Sequence, residues 1–209
     1  MYLFNRTARL GFGHARDGIE WAVTVTEKVN QITSLDAGLW VPVMSPGVNA
    51  VSWGCTLETL ADMEAADAKL QADSIFNDLL EQGATKLTGT VDDEVAQFVE
   101  RPAATPDATH VAVVRAQLSN GALQRGIAAG VEIAHRATAI GGLPTSFLVA
   151  VTGQYGGCGW ITAGSSLKQL EEAEQAINTN ADFVAFLDGE AASCYQPGVT
   201  TQSIWKRVI

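Results

Sequence analysis

Short apolar runs bounded by turn residues alternate along this chain with longer stretches in which apolar side chains recur every three or four positions. The first pattern suits buried strands and the second suits amphipathic helices. Gly38-Leu39-Trp40-Val41-Pro42-Val43-Met44 and Ser146-Phe147-Leu148-Val149-Ala150-Val151 are runs of the first kind. Each leads through a turn, Ser45-Pro46-Gly47 or residues 153–157, into a second run at 48–55 or 158–163, which predicts a hairpin in each half. Helices are expected before the hairpins, over 15–34 and 122–138. The second of these carries Leu123, Ile127, Val131 and Ala134 on one face. Leading strands fit 3–12 and 110–118, and closing strands fit 86–99 and 195–208.

The segments after the hairpins repeat one another. Residues 56–64 lie beside 166–174 with leucines and a final glutamate in register, so Thr56 and Ser166 are the expected helix caps, and Ser166 with Gln169 has capping-box spacing. Ala72-Asp73 and Ala181-Asp182 then open a further helical turn, with Asp73 and Asp182 as expected N-caps and Gly83 and Gly189 as expected stops. Each half therefore reads β-α-β-β-α-β. The halves span 1–101 and 108–209, joined by a linker at about 102–107 that holds Pro102 and Pro106. Strand and helix alternation also admits a doubly wound parallel sheet, but antiparallel hairpins do not belong in a run of right-handed crossovers. The expected class is α+β, two fused ferredoxin-like βαββαβ halves, which the resemblance described next implies form a pseudo-dimeric α/β barrel.

A βαββαβ half whose second helix is followed by Asp and an apolar-periodic turn, as in Asp73-Ser74-Ile75-Phe76-Asn77-Asp78-Leu79 and Asp182-Phe183-Val184-Ala185-Phe186-Leu187, resembles the dimeric α/β-barrel superfamily. A comparable segment there often reads Asp-Pro-x-Phe-x-x-Leu; the proline is absent from both copies here. The superfamily includes antibiotic-biosynthesis-type monooxygenases, haem-degrading enzymes, chlorite-dismutase-like haem proteins and small isomerases. The resemblance implies a pocket between each sheet and its helices, and a barrel closed by a second unit, here attached to the first. The differing hairpin turns suggest that one half alone keeps a working pocket.

Charge narrows the partners. Thirteen Lys plus Arg against twenty-three Asp plus Glu give a formal net charge of −10, which leaves no field to attract nucleic acid or an anionic membrane. No apolar stretch has the length of a transmembrane span, and the first residues lack the charged-then-apolar order of a signal peptide. Cys55, Cys158 and Cys194 are widely spaced with no CxxC pair, which reads as reduced thiols in a cytoplasmic protein rather than a zinc site or a disulfide framework.

Candidate chemistry is sparse. Of three histidines, His135 lies on the edge of the apolar face of its helix, where it either points into the second pocket as acid, base or haem ligand, or is a half-buried histidine satisfied by a carbonyl. His110 at a strand start and His14 in Gly11-Phe12-Gly13-His14 are weaker candidates. Trp40, Trp53, Tyr155 and Trp160 lie on or beside the hairpins and suit either a pocket for a planar compound or ordinary core packing. Tyr155-Gly156-Gly157-Cys158-Gly159-Trp160 is unusually rich in small residues, which implies a close approach by a ligand or by other backbone. Arg115, inside an apolar strand run, needs an anionic partner if buried or marks a strand end in solvent. No GxGxxG before a helix, HExxH or nucleophile elbow is present.

Three functional readings follow. The first is a small-molecule-binding barrel, such as a cofactor-free monooxygenase or isomerase of an aromatic or polyketide-like compound. The second is a haem protein with His135 as ligand. The third is a non-catalytic assembly or binding module, in which self-association into a homo-oligomer would be natural.

Overall fold

The structure, a computed structural model, describes residues 1–103 and 107–209, so residues 104–106 of the expected linker lie outside the described residues. The first run of elements is β1 (Tyr2–Leu10), α1 (Ala15–Thr33), β2 (Gly38–Pro42), β3 (Ala50–Leu57), α2 (Leu60–Gln71), α3 (Ser74–Gly83) and β4 (Leu87–Glu100). The second is β5 (His110–Gln117), α4 (Leu123–Gly141), β6 (Thr145–Ala150), β7 (Gly157–Gly164), α5 (Leu167–Thr179), α6 (Ala181–Phe186) and β8 (Thr201–Arg207). Both hairpins are antiparallel. The strands hydrogen-bond in the order β1-β3-β2-β8-β5-β7-β6-β4, which closes on itself. The chain is thus α+β, two ferredoxin-like halves in a pseudo-dimeric α/β barrel. Two compact units, 1–95 with 206–209 and 96–205, are described in turn.

In the first unit, α1 and α2 lie over a sheet whose core is Leu39 and Val51, both fully buried, with Trp21, Val25, Leu70 and, from α3 packed on the two helices, Phe76 around them. The ends of α1 are set locally. The helix stops at Ser34, which adopts φ 62° and donates its N–H to the Asn30 carbonyl. Asn30 then fixes the exit by accepting from the Ala37 N–H at 2.7 Å and donating to the Ala37 carbonyl at 2.9 Å. The last residues of the chain belong to this unit: Val208 N–H donates to the Leu39 carbonyl, and Leu39 N–H to the Ile209 carbonyl.

In the second unit, Phe147, completely buried, sits beneath α4 with Leu118, Ala134, Cys158 and Trp160, while Phe183, Phe186 and Ala191 form an adjoining cluster. Gly130 makes room for Phe147, because a Cβ there would fall 2.2 Å from the ring. The same device anchors the start of α1 and of α4: a Cβ at Gly18 would meet Leu10 at 2.6 Å, and one at Gly126 would meet Leu118 at 2.3 Å.

The caps correct the expected register. Ser166 does cap α5, accepting from Gln169 N–H at 3.2 Å, although Gln169 Oε1 turns to Ser165 N–H rather than completing the box. Its counterpart is Thr59, which forms a full capping box with Asp62, and not Thr56, which lies in β3. Asp73 caps α3 as expected, but α6 is capped by Asn180, with Asp182 in its first turn. Gly189 does not end the helical path, which continues through a π turn at Leu187–Ala191 and a 3-10 turn at Ala192–Cys194. The pairs Thr59 with Ser166 and Asp73 with Asn180 place the structural correspondence of the two halves three residues from the one that the leucines suggest, because leucines spaced three and four apart align almost as well after a shift of three.

Candidate ligand cavity

Strand registry explains how the two halves come to differ. In the first half Arg6 of β1 stands directly opposite Trp53 of β3, and Phe4 stands opposite Cys55. In the second half Val114 of β5 stands opposite Trp160 of β7, and Ala112 opposite Thr162. The two tryptophans occupy equivalent places, since each reaches the preceding helix. Trp53 Nε1–H donates to Thr26 Oγ1 at 3.0 Å, and Trp160 Nε1–H donates to the Gly130 carbonyl at 2.8 Å. Phe4 and Arg6 occupy the matching places over the first sheet: Phe4 packs against the cluster of Ala37, Cys55 and Leu57, and Arg6 forms two hydrogen bonds of 2.7 Å with Asp93. Asp93 and the nearby Asp67 hold the Arg6 guanidinium firmly protonated.

Ala112 and Val114 leave the space over the second sheet open. A cavity of about 310 Å³ lies there between the sheet and helices α4, α5 and α6. That volume is in the range of small-molecule sites. Val114, Ala116 and Trp160 form its floor, Ile133 and Ala137 one wall, and Leu170, Ala173, Ile177 and Phe183 another. Trp160 is held by an offset Phe147 ring at 5.2 Å and an edge-on Tyr195 ring at 5.5 Å. The Tyr195 hydroxyl donates to the Gly126 carbonyl at 2.9 Å, and burial raises its pKa, so it remains a neutral donor. Thr145 and Thr162 hydroxyls pair at 2.9 Å within the lining. Glu174, Asn178, Thr200 and Gln202 supply its remaining polar groups, with Gln202 Nε2 donating to Glu174 Oε1 at 2.6 Å. Among the described residues, the lining contains one carboxylate and no lysine, arginine or histidine.

Of the histidines, aromatic residues and arginine singled out in the sequence, Trp160 lines this cavity and seven do not. His135 lies on α4 between Ile133 and Ala137, and at 3.6 residues per turn a position two away from each faces nearly the opposite side. Its Nε2 stands 3.3 Å from Glu100 instead. Arg115 is exposed and alternates with Val114 and Ala116, so it projects from the other face of β5. Tyr155 is 85% exposed in the hairpin turn. Its carbonyl accepts from Gln117 Nε2. Trp53 packs edge-on against Trp21 at 5.9 Å in the first unit, and Trp40 is half-buried on β2. His14 pairs with Asp17 at 3.2 Å, and His110 with the Thr109 hydroxyl at 2.9 Å. Glu174, Tyr195 and the threonine pair were missed; the equivalence of Trp53 and Trp160 was the signal that could have pointed to them.

No family profile matches the sequence, and no curated protein sequence does. Among solved structures the chain is similar to a candidate monooxygenase from Fusobacterium nucleatum, with TM-score 0.72 and 5% identity over 100% of this chain and 92% of that one. It is also similar to an anthrone oxidase-like protein, with TM-score 0.71 and 10% identity over 100% and 91% of the two chains. A chlorite dismutase from Candidatus Nitrospira defluvii gives 0.55 and 9%, over 98% and 90%. Likeness at such identities establishes fold: the chain has the fold of the dimeric α/β-barrel superfamily. No helix among the described residues is long and apolar enough to cross a membrane.

Proposed function

We propose that this chain binds a small, largely apolar or aromatic molecule in the cavity of its second half, and that it acts on it as a cofactor-free monooxygenase or isomerase. The observation that carries this reading is the opening left over the second sheet where Ala112 and Val114 stand in place of Phe4 and Arg6. Its walls offer apolar contact and the face of an immobilised tryptophan, which suits a flat ligand. Glu174 is the carboxylate at the lining among the described residues, and it can accept a hydrogen bond from the bound molecule and so orient it against Trp160. Likeness to an anthrone oxidase-like protein and to a candidate monooxygenase supports the oxygenase side of this reading.

Haem, which the chlorite-dismutase-like resemblance would imply, does not fit the donors at this cavity. His135 is turned away from it toward Glu100, and no other histidine among the described residues lines it. A purely structural module would be expected to fill such a space with its own side chains, and over the second sheet Ala112 and Val114 leave it open. The three unpaired, buried cysteines support a cytoplasmic setting.

The test is native mass spectrometry and absorbance of the full chain purified without added cofactor, followed by haemin titration. A co-purified organic molecule released by Trp160→Ala supports the reading. A haem adduct with a Soret band that is lost in His135→Ala would overturn it.

A further inference from the structure

The first half shows what the second half's cavity is built to hold. Over the first sheet the protein supplies its own occupant: the Arg6 guanidinium, a flat cation 5.7 Å from the Phe4 ring centroid, opposite Trp53 and gripped through two donors by Asp93. Asp67 of α2 adds a second favourable charge. The second half keeps the receptor and removes the occupant. Trp160 stands where Trp53 does, and Val114 replaces Arg6 opposite it. Glu174 lies eight residues beyond the Ser166 cap, as Asp67 lies eight beyond the Thr59 cap. Asp93 comes from β4, the neighbour of β1, while Gln202 comes from β8, the neighbour of β5.

The acceptors of the second half are only partly used. Glu174 Oε1 accepts from Gln202, and among the described residues no further partner is recorded for the Glu174 carboxylate or for the Asn178 side chain one helical turn away. An acidic ligand would meet this carboxylate with no lysine, arginine or histidine in the lining to offset it.

Resting on the reading that the cavity binds a small molecule, we infer that its ligand is an aromatic compound bearing a hydrogen-bond donor, best an amine cation, which Glu174 receives, and that carboxylic acids are excluded. The apolar ring lies against Trp160 as Arg6 lies over Phe4 and opposite Trp53. The donor reaches Glu174 as Arg6 reaches Asp93.

The experiment uses isothermal titration calorimetry on the full chain with three probes that share one ring system: 2-(aminomethyl)naphthalene, 2-naphthalenemethanol and 2-naphthoic acid at pH 7.5. Reversing an attraction to a repulsion at a partly exposed carboxylate predicts about tenfold tighter binding of the amine than of the acid, with the alcohol between them. Glu174→Gln should bring amine and alcohol within about threefold of each other. Val114→Arg, which restores the first half's plug, should abolish binding of all three, and Ala112→Phe should do the same by bulk, each checked for native circular dichroism. Equal affinities for the three probes, or preference for the acid, would overturn the inference and leave the cavity reading standing. Absence of binding by all three to the unmodified chain would overturn both.

Discussion

Gly130→Ala places a methyl group in the most tightly packed contact of the second unit, and two opposing effects decide its sign. Alanine in a helix interior is favoured over glycine by about 1 kcal/mol. Against this, the new Cβ would lie 2.2, 2.5 and 2.6 Å from three carbons of the Phe147 ring. Restoring a contact of about 3.7 Å requires the ring or the helix to retreat by about 1.5 Å. Phe147 has nowhere to go, being 0% exposed and backed by Trp160 at 5.2 Å, which is itself tied to the Gly130 carbonyl. Overpacking costs about 1–3 kcal/mol, and three contacts this short put it at the upper end, about 2–3 kcal/mol, so steric strain should outweigh the helix gain and leave a net loss of about 1–2 kcal/mol. Thermal unfolding followed by circular dichroism should then show a Tm lowered by roughly 3–6 °C, with a changed near-ultraviolet signal from Trp160. Gly189→Ala is the control. It lies in a helical turn with nothing within 4 Å of the added Cβ, so it should stabilise by about 0.5 kcal/mol. Stabilisation by Gly130→Ala equal to that of the control would refute the packing argument.

Burial pushes the Cys158 thiol up to about 12 and the Cys55 thiol up to about 11, so both should resist a thiol reagent at pH 8 until the protein is unfolded. Because the folded values lie above the unfolded value of about 8.5, the stability these thiols contribute is complete below that pH and is lost as pH rises toward 11–12; alkaline denaturation read by fluorescence checks the direction. Asp73 runs the opposite way. Its carboxylate accepts from the Phe76 N–H at 2.8 Å and pairs with Lys28 at 3.0 Å, which hold its pKa below the usual carboxylate value, so its contribution is present above about pH 4 and is lost on further acidification. Asn180 does the same capping without charge, so Asn180→Ala should cost about 1 kcal/mol by urea denaturation, with little dependence on pH between 3 and 7. Deleting residues 206–209 leaves the Leu39 backbone groups of β2 without their partners, and the truncated chain should self-associate on size-exclusion chromatography; a well-behaved monomer would contradict the role given to that edge.

Much of the architecture was legible because its causes are local. Apolar spacing along residues 123–141 marks a helix whatever it packs on, and a hydroxyl at Ser166 followed by Gln169 marks a helix start wherever the helix lies. The hairpins were readable for the same reason, and their repetition in a second half led to two ferredoxin-like α+β halves, while closure into one barrel came from the resemblance to the dimeric α/β-barrel superfamily. The exact caps were not all legible. Asp182 is as good a capping residue as Asn180, and the choice is made by which of them stands before the turn that carries Phe183 into its cluster.

The site needed three dimensions because its residues have no local signature. An arginine within an apolar strand was noticed at 115, where it is exposed, while the informative arginine was Arg6, whose meaning comes from standing opposite Trp53 with Asp93 on a neighbouring strand. His135 seemed to lie at the edge of an apolar face, yet a helix turns about 100° per residue, and two steps from Ile133 carry it out of the cavity to Glu100. The sequence by itself thus determined the order of the elements, their two-fold repetition and the class of fold, all of which follow from short-range periodicity and turn chemistry. Tertiary structure alone decided that Phe4 and Arg6 occupy the places over one sheet while Ala112 and Val114 leave a space open over the other, because strand register and packing bring together side chains that lie far apart along the chain.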